Sequence, residues 1–210
     1  MDAPDFSLED AARAEGFVTI AGIDEAGRGP WVGPVVAAAV ILDRATMTDE
    51  LLGGLNDSKK LTAKKREALF SLLPGCARIG VGQASVDEID RDNILAATMS
   101  AMARAVVELG APPDLALVDG NRAPELACPA RCEIKGDGRS LSIAAASIIA
   151  KVTRDRIMAE LAYLCPGYGW ERNAGYGTAQ HQAGLKSLGV TIHHRKSFAP
   201  IHKILSLDSS

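Results

Sequence analysis

Two adjacent carboxylates, Asp24 and Glu25, follow an apolar run and precede a Gly-Arg-Gly segment. Residues 17–23 have the sequence Phe-Val-Thr-Ile-Ala-Gly-Ile, which predicts a buried strand, and the glycines that follow disfavour a helix. Neighbouring acids at the end of a buried strand repel each other and are costly to ionise without a compensating positive charge. A divalent cation such as Mg²⁺, which prefers carboxylate oxygen, can supply that charge. An acidic surface turn is the other interpretation of the pair.

Two more aspartates occupy positions suited to the same site. Asp119 ends the apolar run at residues 114–119, and Asp137 lies in a Lys-Gly-Asp-Gly segment before a long predicted helix. Sites in open α/β sheets lie at strand ends, and a helix N-terminus favours negative charge. Together with Asp24 and Glu25 these acids can converge, as a site for two divalent ions about 3.5–4 Å apart requires. A turn or cap role for Asp119 and Asp137 remains open.

Asp155 is an alternative fourth acid. It lies within a predicted helix beside Arg154 and Arg156, four residues after Lys151. This spacing places opposite charges on one helix face, so a surface ion pair is the favoured role.

Composition is that of a soluble globular protein of one domain. The chain has 210 residues, of which 47% are apolar and 23% charged. Its N-terminus is acidic where a signal peptide would be basic, and it has no apolar stretch long enough to span a membrane. The four cysteines are too sparse for a disulfide scaffold, and Cys128 and Cys132 lack a matching pair at zinc-site spacing. We therefore expect reduced thiols in a cytoplasmic protein, and a monomer.

The net charge of −3 is unusual for a nucleic-acid-binding protein, but the distribution of charge matters more than its sum. Basic residues gather at positions 59–66 and 193–196. A solvated face is the alternative role for each group. His181 falls in a predicted helix, whereas His193 and His194 fall in a basic turn where phosphate contact and solvation are both open.

The apolar patterns predict a mixed α/β fold, with helices packed on a single sheet. Strands are predicted at residues 17–24, 34–42, 77–86, 114–120 and 132–134. Helices are predicted at residues 62–73, 85–110, 140–164 and 178–188, the second beginning with a Ser-Val-Asp-Glu capping box. Residues 1–210 are expected to form one domain, with a core at about 17–165 and a C-terminal helical extension at about 166–210.

Six segments, in order, closely resemble the bacterial type 2 ribonucleases H, the ribonuclease HII family, over residues 17–198. They are Gly-Ile-Asp-Glu-Ala-Gly-Arg-Gly-Pro, Asn-Asp-Ser-Lys-Lys-Leu, Val-Asp-Gly-Asn, Lys-Gly-Asp, Ala-Ala-Ala-Ser-Ile-Ile-Ala-Lys-Val-Thr-Arg-Asp and Gly-Tyr-Gly-Thr. The resemblance implies a ribonuclease H-like fold and metal-dependent cleavage of RNA in RNA–DNA hybrids. It also implies cleavage on the 5′ side of single ribonucleotides in duplex DNA, leaving 3′-hydroxyl and 5′-phosphate ends, with two Mg²⁺ or Mn²⁺ ions.

The resemblance also assigns roles to residues. It places the family's four metal-binding and catalytic acids on Asp24, Glu25, Asp119 and Asp137. The family's ribonucleotide-sensing loop corresponds to Gly27, Arg28 and Gly29, and its sugar-stacking tyrosine to Tyr176. In the loop at residues 56–60, we expect Ser58, Lys59 and Lys60 to bind backbone phosphates. The chain departs from the common pattern before Gly-Tyr-Gly-Thr, where Asn-Ala replaces a basic His-Lys pair, which puts one phosphate contact in doubt.

Other functions fit the sequence less well. Gly27 and Gly29 resemble part of a dinucleotide-binding fingerprint, but the prolines and strand that follow exclude the required helix. The chain contains no Gly-x-x-x-x-Gly-Lys-[Ser/Thr] segment, which disfavours a P-loop enzyme. Ribonuclease HIII, which typically has Gly-Lys-Gly at the sensing loop and an extra N-terminal domain, is the nearest alternative in activity. A catalytically inactive hybrid-binding module is the non-enzymatic alternative.

Overall fold

A five-stranded mixed sheet forms the centre of the computed structural model, which describes residues 3–208. The strands are β1 (Ile20–Ala26), β2 (Val35–Leu42), β3 (Ala77–Ala84), β4 (Leu115–Asp119) and β5 (Ala130–Glu133). Their order is β3-β2-β1-β4-β5. The pairs β1–β2 and β2–β3 are antiparallel, whereas β1–β4 and β4–β5 are parallel. The predicted mixed α/β fold is confirmed.

Helices lie on both faces of the sheet. They are α1 (Ser7–Ala14), α2 (Asp49–Gly54), α3 (Ala63–Leu72), α4 (Val86–Val107), α5 (Leu141–Leu164), α6 (Trp170–Asn173), α7 (Ala179–Leu188) and α8 (Ala199–Asp208). Short 3₁₀ turns occur at Ser58–Lys60, Leu73–Gly75 and Gly136–Gly138. The sequence correctly predicted α3, α4, α5 and α7, but not α1, α2, α6 or α8. No helix within residues 3–208 is long and apolar enough to cross a membrane.

The central strands are apolar on both faces because a helix covers each one. Ala38 and Val40 of β2 pack with α5, while Ala37 and Ala39 pack with α4. Helix α5 approaches β1 most closely at Gly22, where a Cβ atom would lie 2.1 Å from the carbonyl carbon of Ser142. Only glycine permits this contact, which places the N-terminal half of α5 directly beside the end of β1.

Helix α4 begins with the predicted capping box and contains a break that the sequence analysis missed. The Ser85 hydroxyl accepts the Glu88 N–H at 3.2 Å, and the Glu88 carboxylate accepts the Ser85 N–H at 2.9 Å. Asn93 has a φ of 71° inside the helix. Its side-chain oxygen accepts the N–H groups of Leu95 and Ala96 at 2.9 and 3.1 Å, so it caps the second segment.

Helix α1 supports the beginning of α5. Its buried Glu9 accepts hydrogen bonds from the Ser140 hydroxyl at 2.6 Å and from the Ser142 N–H at 3.0 Å. A carboxylate at this place complements the N-terminal end of α5 and its unpaired N–H groups. The N-terminal helix therefore fixes the start of α5, the helix that covers one face of β1 and β2.

The segment after residue 165 packs on the preceding structure. Trp170, Leu185 and Ile201 form one apolar cluster with Met158 of α5 and with Val32, which precedes β2. The segment thereby reaches the loop that follows β1.

Candidate active site

Asp24 and Asp119 lie side by side where the pairing of β1 with β4 ends. The parallel register pairs Ile23 of β1 with Val118 of β4, so each aspartate follows its paired residue directly. Ile23 and Val118 pack in the cluster on the α4 side of the sheet. Because side chains alternate along a strand, both aspartates face the α5 side.

Asp24 is buried, with 4% of its surface exposed. Burial raises the pKa of Asp24 well above its ordinary value, and the negative charges of Glu25 and Asp119 raise it further. Asp137 contributes in the same direction. Burial also raises the pKa of Glu25, although Arg28, 3.3 Å from its carboxylate, opposes the shift.

Asp137 joins this group through the Gly136–Gly138 turn. The N–H of Gly136 donates to Asp119 Oδ1 at 2.7 Å, which ties the turn to the end of β4. Burial, with the nearby charge of Asp119, raises the pKa of Asp137 to about 6. The structure thus brings all four predicted acids into electrostatic contact.

Asp57 is a fifth carboxyl at this place, and the sequence analysis missed its role. Its negative charge adds to that of Asp119 in raising the pKa of Asp137. Its Oδ1 also accepts the N–H of Lys59 at 2.9 Å, and so caps the 3₁₀ turn. The position of Asp57 beside the lysines in Asn-Asp-Ser-Lys-Lys could have indicated that it lies near the site.

Lys59 is a second cation close to the acids, after Arg28. Burial disfavours its ammonium group, but the charges of Asp24 and Asp57 outweigh this effect and raise the pKa of Lys59. Asp137 and Asp119 act in the same direction. The five carboxyl groups outnumber the two cations, Arg28 and Lys59, that act on them.

The chemistry of these donors fits hard divalent ions, since carboxylate oxygens are the ligands such ions prefer. The repulsion that raises the pKa of Asp24 is also relieved when a cation binds. Within residues 3–208, however, no three His, Cys, Asp or Glu side chains are gathered into a geometry that could hold a metal ion. The predicted acids are therefore brought together without forming a closed ligand shell.

The predicted sugar-sensing residues share one cleft of about 360 Å³ next to the acids. A Cβ atom on Gly29 would lie 3.2 Å from Cε1 of Tyr176, so the tyrosine ring lies against this glycine. The ring is half exposed. The cleft is lined by Glu25, Ala26, Gly27, Arg28, Gly29, Ser58, Lys59, Ser147, Lys151, Arg154 and Tyr176.

A second cleft, of about 710 Å³, lies on the other side of the acids. Lys59 lines both clefts, while Lys60, Asp119 and Asp137 line the second. Ser58 differs from its lysine neighbours because it is buried, and its Oγ lies 2.7 Å from Oγ of Ser147 on α5. This contact anchors the basic loop to the helix.

His194 is buried, contrary to the prediction of a basic turn in which it is solvated or binds phosphate. Its Nδ1 accepts the N–H of Thr191 at 2.9 Å, so a neutral ring carries its proton on Nε2. That nitrogen is 3.1 Å from Nε2 of His181, which also accepts the indole N–H of Trp170 at 3.2 Å. His181 Nδ1 then donates to the carbonyl oxygen of Tyr176 at 3.0 Å.

This chain of hydrogen bonds requires two neutral imidazoles. Burial lowers the pKa of His181, and burial together with His181 lowers the pKa of His194 to about 4. The histidines therefore support the backbone at Tyr176 from within the protein. Arg195 is buried as well, so the basic run at residues 193–196 is not a continuous solvated face.

Two other predictions are confirmed. Asp155 lies 2.6 Å from Lys151 Nζ, an ion pair one helical turn apart, so it is not the fourth acid of the site. Cys76, Cys128, Cys132 and Cys165 are free thiols.

Comparison with known proteins identifies the family. The protein-family model described as Ribonuclease HII matches residues 21–201 of this chain. The chain is 57% identical to ribonuclease HII of Ruegeria pomeroyi over 206 residues, which cover 98% of this chain and 86% of that protein. The chain belongs to the ribonuclease HII family. As a ribonuclease HII, it is an endonuclease that hydrolyses RNA in RNA–DNA hybrids, and its family depends on divalent metal ions.

Solved structures agree with the fold. Ribonuclease H2 from Pyrococcus horikoshii OT3 is similar, with a TM-score of 0.75, 28% identity, and coverage of 92% of this chain and 100% of that one. Bst-RNase HIII, solved in complex with Mn²⁺, has a TM-score of 0.72 at 21% identity, and the match covers 94% of this chain and 72% of that one. The second likeness concerns the fold alone.

Proposed function

We propose that this ribonuclease HII cleaves on the 5′ side of single ribonucleotides embedded in duplex DNA, in addition to cleaving RNA–DNA hybrids. The observation that carries the proposal is the contact between Gly29 and the Tyr176 ring in a cleft that Glu25 also lines. A group able to recognise a sugar therefore lies directly beside the carboxylates that would act on its phosphate.

The chemistry of ribose explains this arrangement. A single ribonucleotide differs from its DNA neighbours by one 2′-hydroxyl group, so its recognition requires hydrogen-bonding groups close to the sugar. Gly27, with a φ of 101°, and Gly29 let the main chain approach without a side chain in the way. The half-exposed Tyr176 ring is available to stack on the neighbouring sugar.

We assign the ligands for two divalent ions, Mg²⁺ or Mn²⁺, to Asp24, Glu25, Asp119 and Asp137. The assignment is supported by their shared electrostatic environment and by their oxygen donors. Bound ions supply charge neutralisation at the phosphate and a water of lowered pKa. The protein itself fixes these carboxylates on β1, on the end of β4 and on the Gly136–Gly138 turn, close enough together to act on one phosphodiester.

The remaining polar residues are assigned to substrate binding. Arg28 is half exposed and is held near the acids by Glu25, where it can bind a phosphate. Lys59 and Lys60 line the second cleft, where they can hold the backbone beyond the scissile bond. Ser58 would act through the loop that it anchors.

A cleavage assay tests the proposal. The wild-type protein is incubated with a duplex that carries one ribonucleotide, with and without Mg²⁺, beside an all-DNA duplex and a continuous hybrid. We expect Mg²⁺-dependent cleavage at the ribonucleotide and in the hybrid, and an intact all-DNA duplex. Cleavage of the hybrid alone would refute the junction activity and favour a ribonuclease HIII-like specificity.

We further expect the enzyme to act as a cytoplasmic monomer. Sedimentation of the free protein and of its complex with one duplex would check the oligomeric state, and cell fractionation would check the location.

A further inference from the structure

Two buried arginines, Arg154 and Arg195, lie beneath the sugar-sensing cleft. Only 1% and 0% of their surfaces are exposed. Each hydrogen bond that their guanidinium groups make within residues 3–208 ends on a main-chain carbonyl. Arginines buried among carbonyls, rather than paired with a carboxylate, demand an explanation because isolated buried charge is costly.

Arg195 closes the loop between β1 and β2. Its Nη2 donates to the carbonyl of Gly27 at 2.6 Å, and its Nη1 donates to that of Arg28 at 3.0 Å. At the far end of the loop, Nε and Nη2 donate to Gly33 at 2.9 and 2.8 Å, and Nη2 reaches Pro34 at 3.1 Å. One planar guanidinium thereby fixes both ends of the loop.

Arg154 links the same loop to the tyrosine. Its Nε donates to Pro34 at 3.1 Å and its Nη2 to Val32 at 2.9 Å. Its Nη1 donates to the carbonyl of Ala174, two residues before Tyr176, at 3.0 Å. The carbonyl of Pro34 is therefore shared by the two arginines.

Stability alone is a poor reason for this arrangement. Burial lowers the pKa of Arg195 to about 9 and that of Arg154 to about 10, so both charges are held at a cost. Even a buried ion pair can often be replaced by apolar side chains of similar volume without loss of stability, so buried charge is weak evidence of a stabilising role. A planar guanidinium group with five N–H donors can fix several carbonyls in one geometry, which apolar side chains cannot do.

We propose that Arg195, assisted by Arg154, is a positioning residue that holds the Gly27–Gly29 loop and Tyr176 at the separation needed to recognise a ribose. The proposal rests on the function proposed above. Arg195 acts through the main chain of the loop and touches no reacting atom. The carboxylates on β1 and β4 are positioned by the sheet, so loss of the guanidinium should disturb the loop and leave the strands in place.

Conservative substitution provides the first test. Arg195→Lys keeps the charge but cannot reproduce the fork. Arg156→Lys is the matched control, because Arg156 lies on the exposed side of α5 and pairs with Glu67. On a duplex with one ribonucleotide, we expect Arg195→Lys to lower kcat/KM by roughly tenfold or more, as misplacement of positioning groups does. Arg156→Lys should stay within about twofold of the wild type, as exposed pairs contribute little.

Chemical rescue separates a positioning role from a purely structural one, because added guanidinium should restore cleavage only in the first case. Arg195→Ala is assayed at a temperature where circular dichroism shows it fully folded, with millimolar guanidinium chloride or an equal concentration of sodium chloride. The sodium salt controls for weakened nucleic-acid binding. We expect guanidinium, but not sodium, to restore cleavage. If Arg195→Ala does not fold, the rescue is carried out on Arg195→Lys.

The outcomes separate this inference from the proposed function. If the wild type does not cleave at the ribonucleotide, the proposed function is wrong. If the wild type cleaves there and folded Arg195→Lys matches it within about twofold, the positioning role alone is wrong. Activity that falls only in proportion to the folded fraction, with no guanidinium rescue, would also overturn the role.

Discussion

Asp24 and Asp119 each extend one residue beyond the paired positions Ile23 and Val118 of two adjacent parallel strands. Their shared face of the sheet is covered by α5, which comes close enough to β1 to require Gly22. The acids are therefore fixed by backbone pairing and helix packing, not by flexible loops. This placement explains how one region can hold so much like charge.

Replacement of a predicted metal ligand should abolish cleavage while preserving the fold. We expect Asp24→Asn and Asp119→Asn to lower the rate on the order of a hundredfold or more, because each loses a carboxylate from the proposed metal site. Asp92→Asn, which removes an exposed ion pair with Arg91 away from both clefts, is the control. An Asp119→Asn enzyme that retains more than about a tenth of the wild-type rate at saturating Mg²⁺ would exclude Asp119 as a ligand.

Divalent ions should stabilise the folded protein through the same residues. Without metal, Asp24→Asn should melt at a higher temperature than the wild type, because the substitution removes repulsion from a buried site. Addition of Mg²⁺ should raise the wild-type Tm and have a much smaller effect on the variant, and EDTA should reverse it. Equal Mg²⁺-induced shifts in the two proteins would place the ion elsewhere.

Acid should destabilise the protein through His194. Its folded-state pKa of about 4 lies below the ordinary value of 6.5, so the unfolded chain takes up a proton first as the pH falls. Its stabilising contribution is complete above about pH 6.5 and is lost toward pH 4, at most about 3 kcal/mol. The Tm difference between wild type and His194→Gln should therefore shrink over this range. A difference independent of pH would contradict two neutral histidines.

Tyr176 should matter most for an isolated ribonucleotide. Tyr176→Ala removes the ring that lies against Gly29, so we expect a larger loss of rate on the single-ribonucleotide duplex than on a continuous hybrid. Tyr176→Phe keeps the ring and should retain most activity. Gly29→Ala places a methyl group 3.2 Å from the ring and should impair both substrates. Equal losses in Tyr176→Ala on both substrates, with a clearly lowered Tm, would identify the tyrosine as a structural anchor.

The features predicted correctly from sequence were those with a strong local pattern. The buried β2 and the capped α4 follow from apolar periodicity and from Ser85 and Glu88. Helices α1 and α2 have only 8 and 6 residues, too few to establish a period. The break at Asn93 has no signal in the apolar pattern, because it depends on a single left-handed residue.

The site was predicted only in part for a related reason. The four acids lie at the ends of apolar runs or just before a predicted helix, and such places are visible in the sequence. The burial of His194 and Arg195 is not, because polar residues are expected at the surface and are buried only when distant groups satisfy them. His194 is paired with His181 of helix α7. Arg195 bonds to main-chain carbonyls, including those of Trp31 and Gly27, that lie more than 100 residues away in the sequence, and no local pattern reveals such partners.

Mapping of the cleavage products shows directly whether a carboxylate site beside the sugar-sensing cleft hydrolyses the bond at a ribonucleotide. An end-labelled duplex with one ribonucleotide is cleaved in Mg²⁺, and both new ends are identified. We expect one cut on the 5′ side of the ribonucleotide, with a 3′-hydroxyl group upstream and a 5′-phosphate on the ribonucleotide. A cut on its 3′ side would contradict the proposed position of cleavage, and a 2′,3′-cyclic phosphate would show that the ribose hydroxyl, not water, is the nucleophile.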